Sequence, residues 1–92
     1  MKTKSETIDL FKAFSLLDTP EEAKKFLADI CTPQEIKALS ERWEVCQLLA
    51  PGNLSYREIK EITGTSTTTI TRVARFLNNE PNCGYKTILA KI

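Results

Sequence analysis

Between Ser55 and Asn78 the chain reads SYREIKEITGTSTTTITRVARFLN, the stretch richest in side chains suited to a charged, hydrogen-bonding partner. Arg57 carries a planar fork that can donate twice to the O6 and N7 acceptors of guanine, and Lys60 suits a phosphate. Thr67, Thr68, Thr69 and Thr71 place four threonines in five positions. Each is a poorer helix former than Ala by up to ~0.7 kcal/mol, so their selection answers some other demand. Short hydroxyls can donate to phosphates and bases, and threonine methyls can touch the thymine methyl; a helix entering a major groove needs both. The competing reading is a solvated polar face, which accounts for hydrophilicity but not for Thr over Glu, Lys or Gln. Arg57 has an alternative too: Glu61 stands at i, i+4 spacing from it, a pairing worth ~0.5 kcal/mol or less.

These residues need two helices to carry them. Ser55 predicts an N-cap with a capping box to Glu58, for a short helix through Ile62, and Gly64 can leave a helix with positive φ. Ser66 caps the next helix, which runs to about Asn78 and buries Ile70, Val73 or Ala74, and Leu77. With Ile59 inside the first helix and Ile70 and Val73 inside the second, residues 55–79 meet the packing needs of a helix-turn-helix; an ordinary helical hairpin is the alternative. Lys60 is irregular, since the position one turn before such a glycine is usually small.

Upstream, apolar residues at Ile8, Phe11, Phe14 and Leu16 or Leu17 predict a first helix that Asp18-Thr19-Pro20 interrupts. Thr19 caps a second helix to about Ile30, with Pro20 in its first turn, Glu21 and Glu22 favouring its positive end, and Ala23, Phe26, Leu27 and Ile30 buried. Thr32-Pro33-Gln34-Glu35 repeats the start signal. A third helix of roughly 18 residues follows, with Ile36, Leu39, Trp43, Cys46, Leu49 and Ala50 on one apolar face until Pro51-Gly52-Asn53 ends it. Trp43 therefore reads as core more than as a ligand-stacking ring. A terminal helix is expected from Tyr85 to Ile92. The fold class is all-α with about six short helices, forming a single domain over 1–92: dimerisation and core helices in 1–50, the helix-turn-helix in 55–79 and the last helix in 83–92.

Composition narrows the function. Hydrophobic residues make up 41% and charged residues 27%, which suits a globular protein. A core of this size covers its apolar surface poorly without a second copy, so dimerisation is expected. Net charge is only +1, yet residues 1–50 carry seven Lys/Arg against nine Asp/Glu, and residues 51–92 carry six against three. Residues 66–79 include Arg72 and Arg75 and no acid. No run approaches the ~20 apolar residues of a membrane span, and MKTKSETIDLFK lacks a secretory signal, so a cytoplasmic protein is expected. Cys31, Cys46 and Cys83 fit reduced thiols, Cys46 as inert core and the others near helix ends. Without histidine they complete no metal set, and no cofactor is expected. With no glycine-rich phosphate loop and no nucleophile paired to a base, an enzyme is not expected either.

The run TPQEIKALSERWEVCQLLAPGNLSYREIKEITGTSTTTITR resembles the Trp repressor family in its TP-E start, Arg42, the S-REIK helix, Gly64 and the ITR tripeptide ending at Arg72. The similarity runs without a gap from Thr32 to about Asn78, and the opening LLDTPEEAKKFLADICTPQEI is closer still to the YerC/YecD-type branch of Trp-repressor-like proteins. The resemblance implies a homodimer with interlocked N-terminal helices, acting as a transcriptional repressor on double-stranded DNA. Its palindromic operator would have half-sites about one helical turn, ~34 Å, apart. Tyr56, Arg57 and Lys60 match positions that approach DNA from the first motif helix, and Thr67, Thr68, Thr69 and Thr71 match the reading helix.

Arg42 and Arg72 match two arginines that hold a tryptophan ligand in the Trp repressor. There Val73 replaces a glycine and Phe76 a serine. Together they would fill the space of the indole, so tryptophan is not expected to act as corepressor, and Phe76 stands as a built-in substitute that sets the reading helix. Binding of another small molecule stays open, as does structural pairing of Arg42 and Arg72 with acids such as Glu41. The rival function is a protein-interaction module that keeps the fold without binding DNA. The acid-free reading helix speaks against it.

Overall fold

The computed structural model describes residues 3–92. After a 3₁₀ turn at Lys4–Glu6 come α1 (Leu10–Ser15), α2 (Pro20–Ile30), α3 (Pro33–Leu49), α4 (Tyr56–Thr63), α5 (Thr67–Asn78) and α6 (Gly84–Leu89). No strand occurs among the described residues, and none of their helices is long and apolar enough to cross a membrane. The contacts divide the chain into two compact units, Met1–Ile36 and Lys37–Ile92, with the boundary inside α3.

In the first unit local hydrogen bonds set the helix starts. The Asp9 carboxylate accepts from the Lys12 N–H at 2.8 Å, so α1 begins at Leu10 and Ile8 stays outside it. Thr19 Oγ1 accepts from the Glu22 N–H at 3.1 Å, with Pro20 as the first residue of α2. The Phe14 and Phe26 rings meet edge to face at 5.5 Å. Packing departs from the sequence expectation, because no residue of α1 or α2 is buried. Ala23, Phe26 and Leu27 are half-buried, whereas Ile30 is 49% and Phe11 81% exposed. Two short helices with one apolar face each are too few to enclose a core within this unit.

The second unit has a true core. Val45 and Cys46 of α3, Ile59 of α4, and Ile70, Val73 and Leu77 of α5 form one buried cluster, with Trp43, Leu49, Leu54 and Tyr85 among the residues packed around it. Of the six residues expected on the apolar face of α3, only Cys46 is buried; Leu39 and Ala50 are exposed, and Val45, outside that stripe, is fully enclosed. The core meets α3 near its C-terminal half, and the helix's own periodicity does not reveal that. Both halves of the α4 capping box are formed: Ser55 Oγ accepts from the Glu58 N–H at 3.1 Å, and the Glu58 carboxylate accepts from the Ser55 N–H at 3.0 Å. Gly64 closes α4 in the left-handed conformation, φ 70°, its N–H donating to the Lys60 carbonyl at 2.8 Å. Lys60 is exposed, so its length meets no packing conflict. The last helix ends at Leu89, short of the expected Ile92; Ile92 is 80% exposed, and a further turn there would bury nothing.

Thr63 and Thr65 shape the turn between α4 and α5. Thr63 Oγ1 donates to the Ile59 carbonyl at 2.8 Å and accepts from the Thr65 N–H at 3.0 Å. Thr65 is 4% exposed, and its own hydroxyl has no partner. A buried, unpaired hydroxyl costs ~1–3 kcal/mol, and valine keeps its shape without the polar atom. Thr65→Val is therefore expected to raise stability by about 1 kcal/mol in a urea titration, and a lower midpoint would count against the unpaired hydroxyl.

The capping boxes make stability depend on pH. Hydrogen bonds from the Ser55 backbone and side chain hold the Glu58 carboxyl below its ordinary value of 4.5, and Thr32 does the same for Glu35. A carboxyl lowered in the folded state stabilises it fully above the unfolded value, and this contribution disappears as pH falls through the lowered folded value. The melting temperature should thus decline on acidification from pH 6 to pH 3. The decline should be shallower in Glu58→Gln, and parallel profiles for the two proteins would refute this role of Glu58.

Candidate nucleic-acid interface

On α5 the residues opposite the buried Ile70, Val73 and Leu77 are Thr68, Thr71, Arg72 and Arg75, all exposed and spaced i, i+3, i+4 and i+7. Thr67 is exposed in the first turn, where no acid offsets the partial positive charge of the helix N-terminus. Thr69 is placed differently: it is half-buried, its N–H donates to Ser66 Oγ at 3.2 Å, and its hydroxyl lies 3.1 Å from the same oxygen. It belongs to the helix cap, whereas the other three threonines face outward. Arg75 was not among the reading-helix residues derived from the sequence, although its spacing of three from Arg72 and seven from Thr68 marks the same stripe.

On α4 Tyr56 is 44% exposed, and Arg57 and Lys60 are exposed as well. The pairing that i, i+4 spacing allows is formed: Arg57 Nε lies 3.5 Å from the Glu61 carboxylate, with side-chain exposures of 89% and 68%. α4 and α5 pack directly against each other, so both sets of side chains are carried by one unit.

Of the four residues matched to a ligand pocket, Arg72 and Phe76 meet beside a cavity that Arg42 and Val73 do not line. Val73 is buried in the core, Arg42 is half-buried, and Phe76 is half-buried under the Arg72 guanidinium, 4.5 Å from its ring centre, with Arg75 at 4.9 Å. Neither Arg42 nor Arg72 enters an ion pair among the described residues: Glu41 lies 4.0 Å from Lys37 instead, and Arg75 pairs with Glu80 at 3.0 Å. A cavity of about 460 Å³ opens beside Arg72 and Phe76, lined also by Trp43, Asn82, Gly84, Tyr85 and Ile88; Arg42 and Val73 do not line it. Tyr85 stacks on Trp43 at 6.5 Å, and burial, with Cys46 adding, pushes its hydroxyl pKa up against the opposing arginines Arg42 and Arg72. Trp43 thus packs on the core while walling this cavity. The periodicity of α6 alone holds no sign of it, since it depends on where that helix lies against α5.

Cys46 is buried and its thiol pKa is raised by desolvation, Cys31 is half-buried after α2, and Cys83 is exposed before α6 with φ 59°. Such a desolvated thiol is a poor nucleophile.

Residues 6–92 match the family model described as Trp repressor protein. The chain is 42% identical over 78 residues to the uncharacterized protein YerC of Bacillus subtilis, covering 84% of this chain and 74% of that one. Among solved structures it is similar to a Trp repressor candidate from Staphylococcus aureus, with a TM-score of 0.82 and 39% identity over 89% of this chain and 80% of the other. It is also similar to a TrpR-like protein from Eubacterium eligens, with a TM-score of 0.80 and 43% identity over 89% of this chain and 82% of the other. Six α-helices among the described residues, a capped helix-turn-helix and a match over nearly the whole length lead to one conclusion: the chain belongs to the Trp repressor family.

Proposed function

We propose that this protein is a homodimeric transcriptional repressor that reads a palindromic operator in double-stranded DNA through α4 and α5 and does not use tryptophan as corepressor. The observation that carries the reading is the outer face of α5, where Thr68, Thr71, Arg72 and Arg75 stand exposed with no acid in the helix. Hydroxyls and guanidinium groups on one face of a helix supply both phosphate and base contacts. Tyr56, Arg57, Lys60 and Thr67 extend that surface, with Thr69 supporting it through the cap. Against tryptophan stands Phe76, whose ring already occupies the guanidinium face of Arg72 at 4.5 Å.

Support for the dimer comes from the first unit, whose Ile8, Leu10, Phe11, Phe14, Leu16 and Ile30 are each 40% or more exposed. Apolar surface on that scale marks an association site, and a second copy is the partner that a symmetric family fold favours. Sedimentation at micromolar concentration is expected to give about twice 10.4 kDa, and a stable folded monomer would overturn the dimer.

The decisive experiment is a mobility-shift titration against operator fragments selected from genomic DNA, at several salt concentrations and with and without tryptophan. Binding should weaken with rising salt through counterion release and be indifferent to tryptophan. Arg57→Ala should cost ~1–3 kcal/mol at one base position, while Lys60→Ala should weaken all sequences alike and lower the salt slope by about one. Absence of salt-sensitive binding would leave the protein-interaction module as the reading.

A further inference from the structure

Glu61 is an acid on a surface otherwise built for DNA, and the fold does not use it. The other acid of α4, Glu58, has its carboxylate tied to the Ser55 N–H at 3.0 Å, whereas the polar contacts of Glu61 among the described residues reduce to Arg57 Nε at 3.5 Å. Measured from the buried Ile59 at about 100° per residue, Arg57 and Glu61 stand roughly 160° and 200° round the helix axis, on its outermost side. An exposed i, i+4 pair adds little to stability, and a carboxylate there repels phosphate. The atoms involved give it a use. Of the five N–H donors of a guanidinium, one lies on Nε and four on the terminal nitrogens. The approach of the carboxylate is to Nε, at 3.5 Å, the nitrogen behind the terminal fork.

We infer that Glu61 is a positioning residue: it holds the Arg57 guanidinium by its Nε and directs the terminal fork at the O6 and N7 of a guanine. This rests on the reading of α4 and α5 as a DNA-binding surface. The physical basis is a difference in charge. An unpaired arginine forks a phosphate as readily as a guanine edge, and non-specific affinity is almost wholly electrostatic. A carboxylate beside the guanidinium cancels much of the attraction to phosphate. The neutral guanine edge, bound through directional hydrogen bonds, loses less. Glu61 thereby turns a general anion anchor into a selective contact with one base pair.

The test uses the full chain and duplexes selected from a randomised library with the wild type. Affinities are measured for the selected duplex, for the same duplex with the Arg57-dependent guanine changed to adenine, and for arbitrary duplex, using wild type, Glu61→Gln, Arg57→Ala and the double variant. Circular dichroism of each variant should match wild type, because both side chains are exposed. Glu61→Gln should tighten binding to arbitrary duplex severalfold and lower the guanine-to-adenine affinity ratio about tenfold, within the range of a bidentate base contact. In the Arg57→Ala background the same substitution should leave the ratio unchanged. If Glu61→Gln tightens all duplexes equally with the ratio intact, Glu61 is a repulsive charge only and the inference is overturned. A change in ratio that persists without Arg57 overturns it as well, since Glu61 would then contact a base itself. A wild-type chain that binds no duplex removes the DNA-binding proposal itself and this inference with it, an outcome distinct from both others.

Discussion

Burial of Ile59, Ile70 and Val73 in one cluster with Val45, Cys46 and Leu77 is the interaction on which the second unit depends. α4 has eight residues and α5 twelve, lengths at which an isolated helix is marginal in water. Each is held by the apolar side chains it places in that cluster, and Gly64 sets the path between them. Its left-handed backbone is open to glycine at little strain, and it lets the chain turn immediately after the Lys60 carbonyl has been satisfied. The angle at which α5 presents its outer face follows from this packing and from no side chain on that face.

That division of labour explains the composition of α5. Residues facing the cluster carry the stability of the helix, so the opposite face is free to be selected against helix propensity, and it carries Thr68 and Thr71 beside two arginines. The cap at Ser66 and Thr69 compensates locally for the poor propensity of the first turn. Phe76 connects the two faces: its ring lies under Arg72 and Arg75, which restricts two flexible cationic side chains at once. Arg75 is further held by Glu80, just beyond the helix.

The first unit behaves differently because it has helices but no enclosed core. Its caps at Asp9 and Thr19 are as well formed as those of the second unit, yet no residue of α1 or α2 is buried. Secondary structure there is set within three or four residues of chain, whereas its apolar faces, from Phe11 to Ile30, find no cover within the unit.

What the sequence by itself determined were helix starts and a turn governed by short-range hydrogen bonding and backbone sterics. Ser55 with Glu58, Thr19 with Pro20, Thr32 with Glu35 and Ser66 mark four helix starts that the structure reproduces, and Gly64 marks the turn. The inward residues Ile59, Ile70, Val73 and Leu77 were legible as well, because two short amphipathic helices joined by a tight turn have one way to hide their apolar sides. Tertiary structure decided which part of each longer pattern is covered. Val45 and not Leu39 is enclosed on α3, Thr65 is buried with an unpaired hydroxyl, and Thr69 is withdrawn from the face that Thr68 and Arg75 share. It also brought Tyr85 of α6 against Trp43 to wall a cavity. The reason is range: periodicity reports that a helix has an apolar side, but burial depends on residues tens of positions away, whose approach no local spacing encodes.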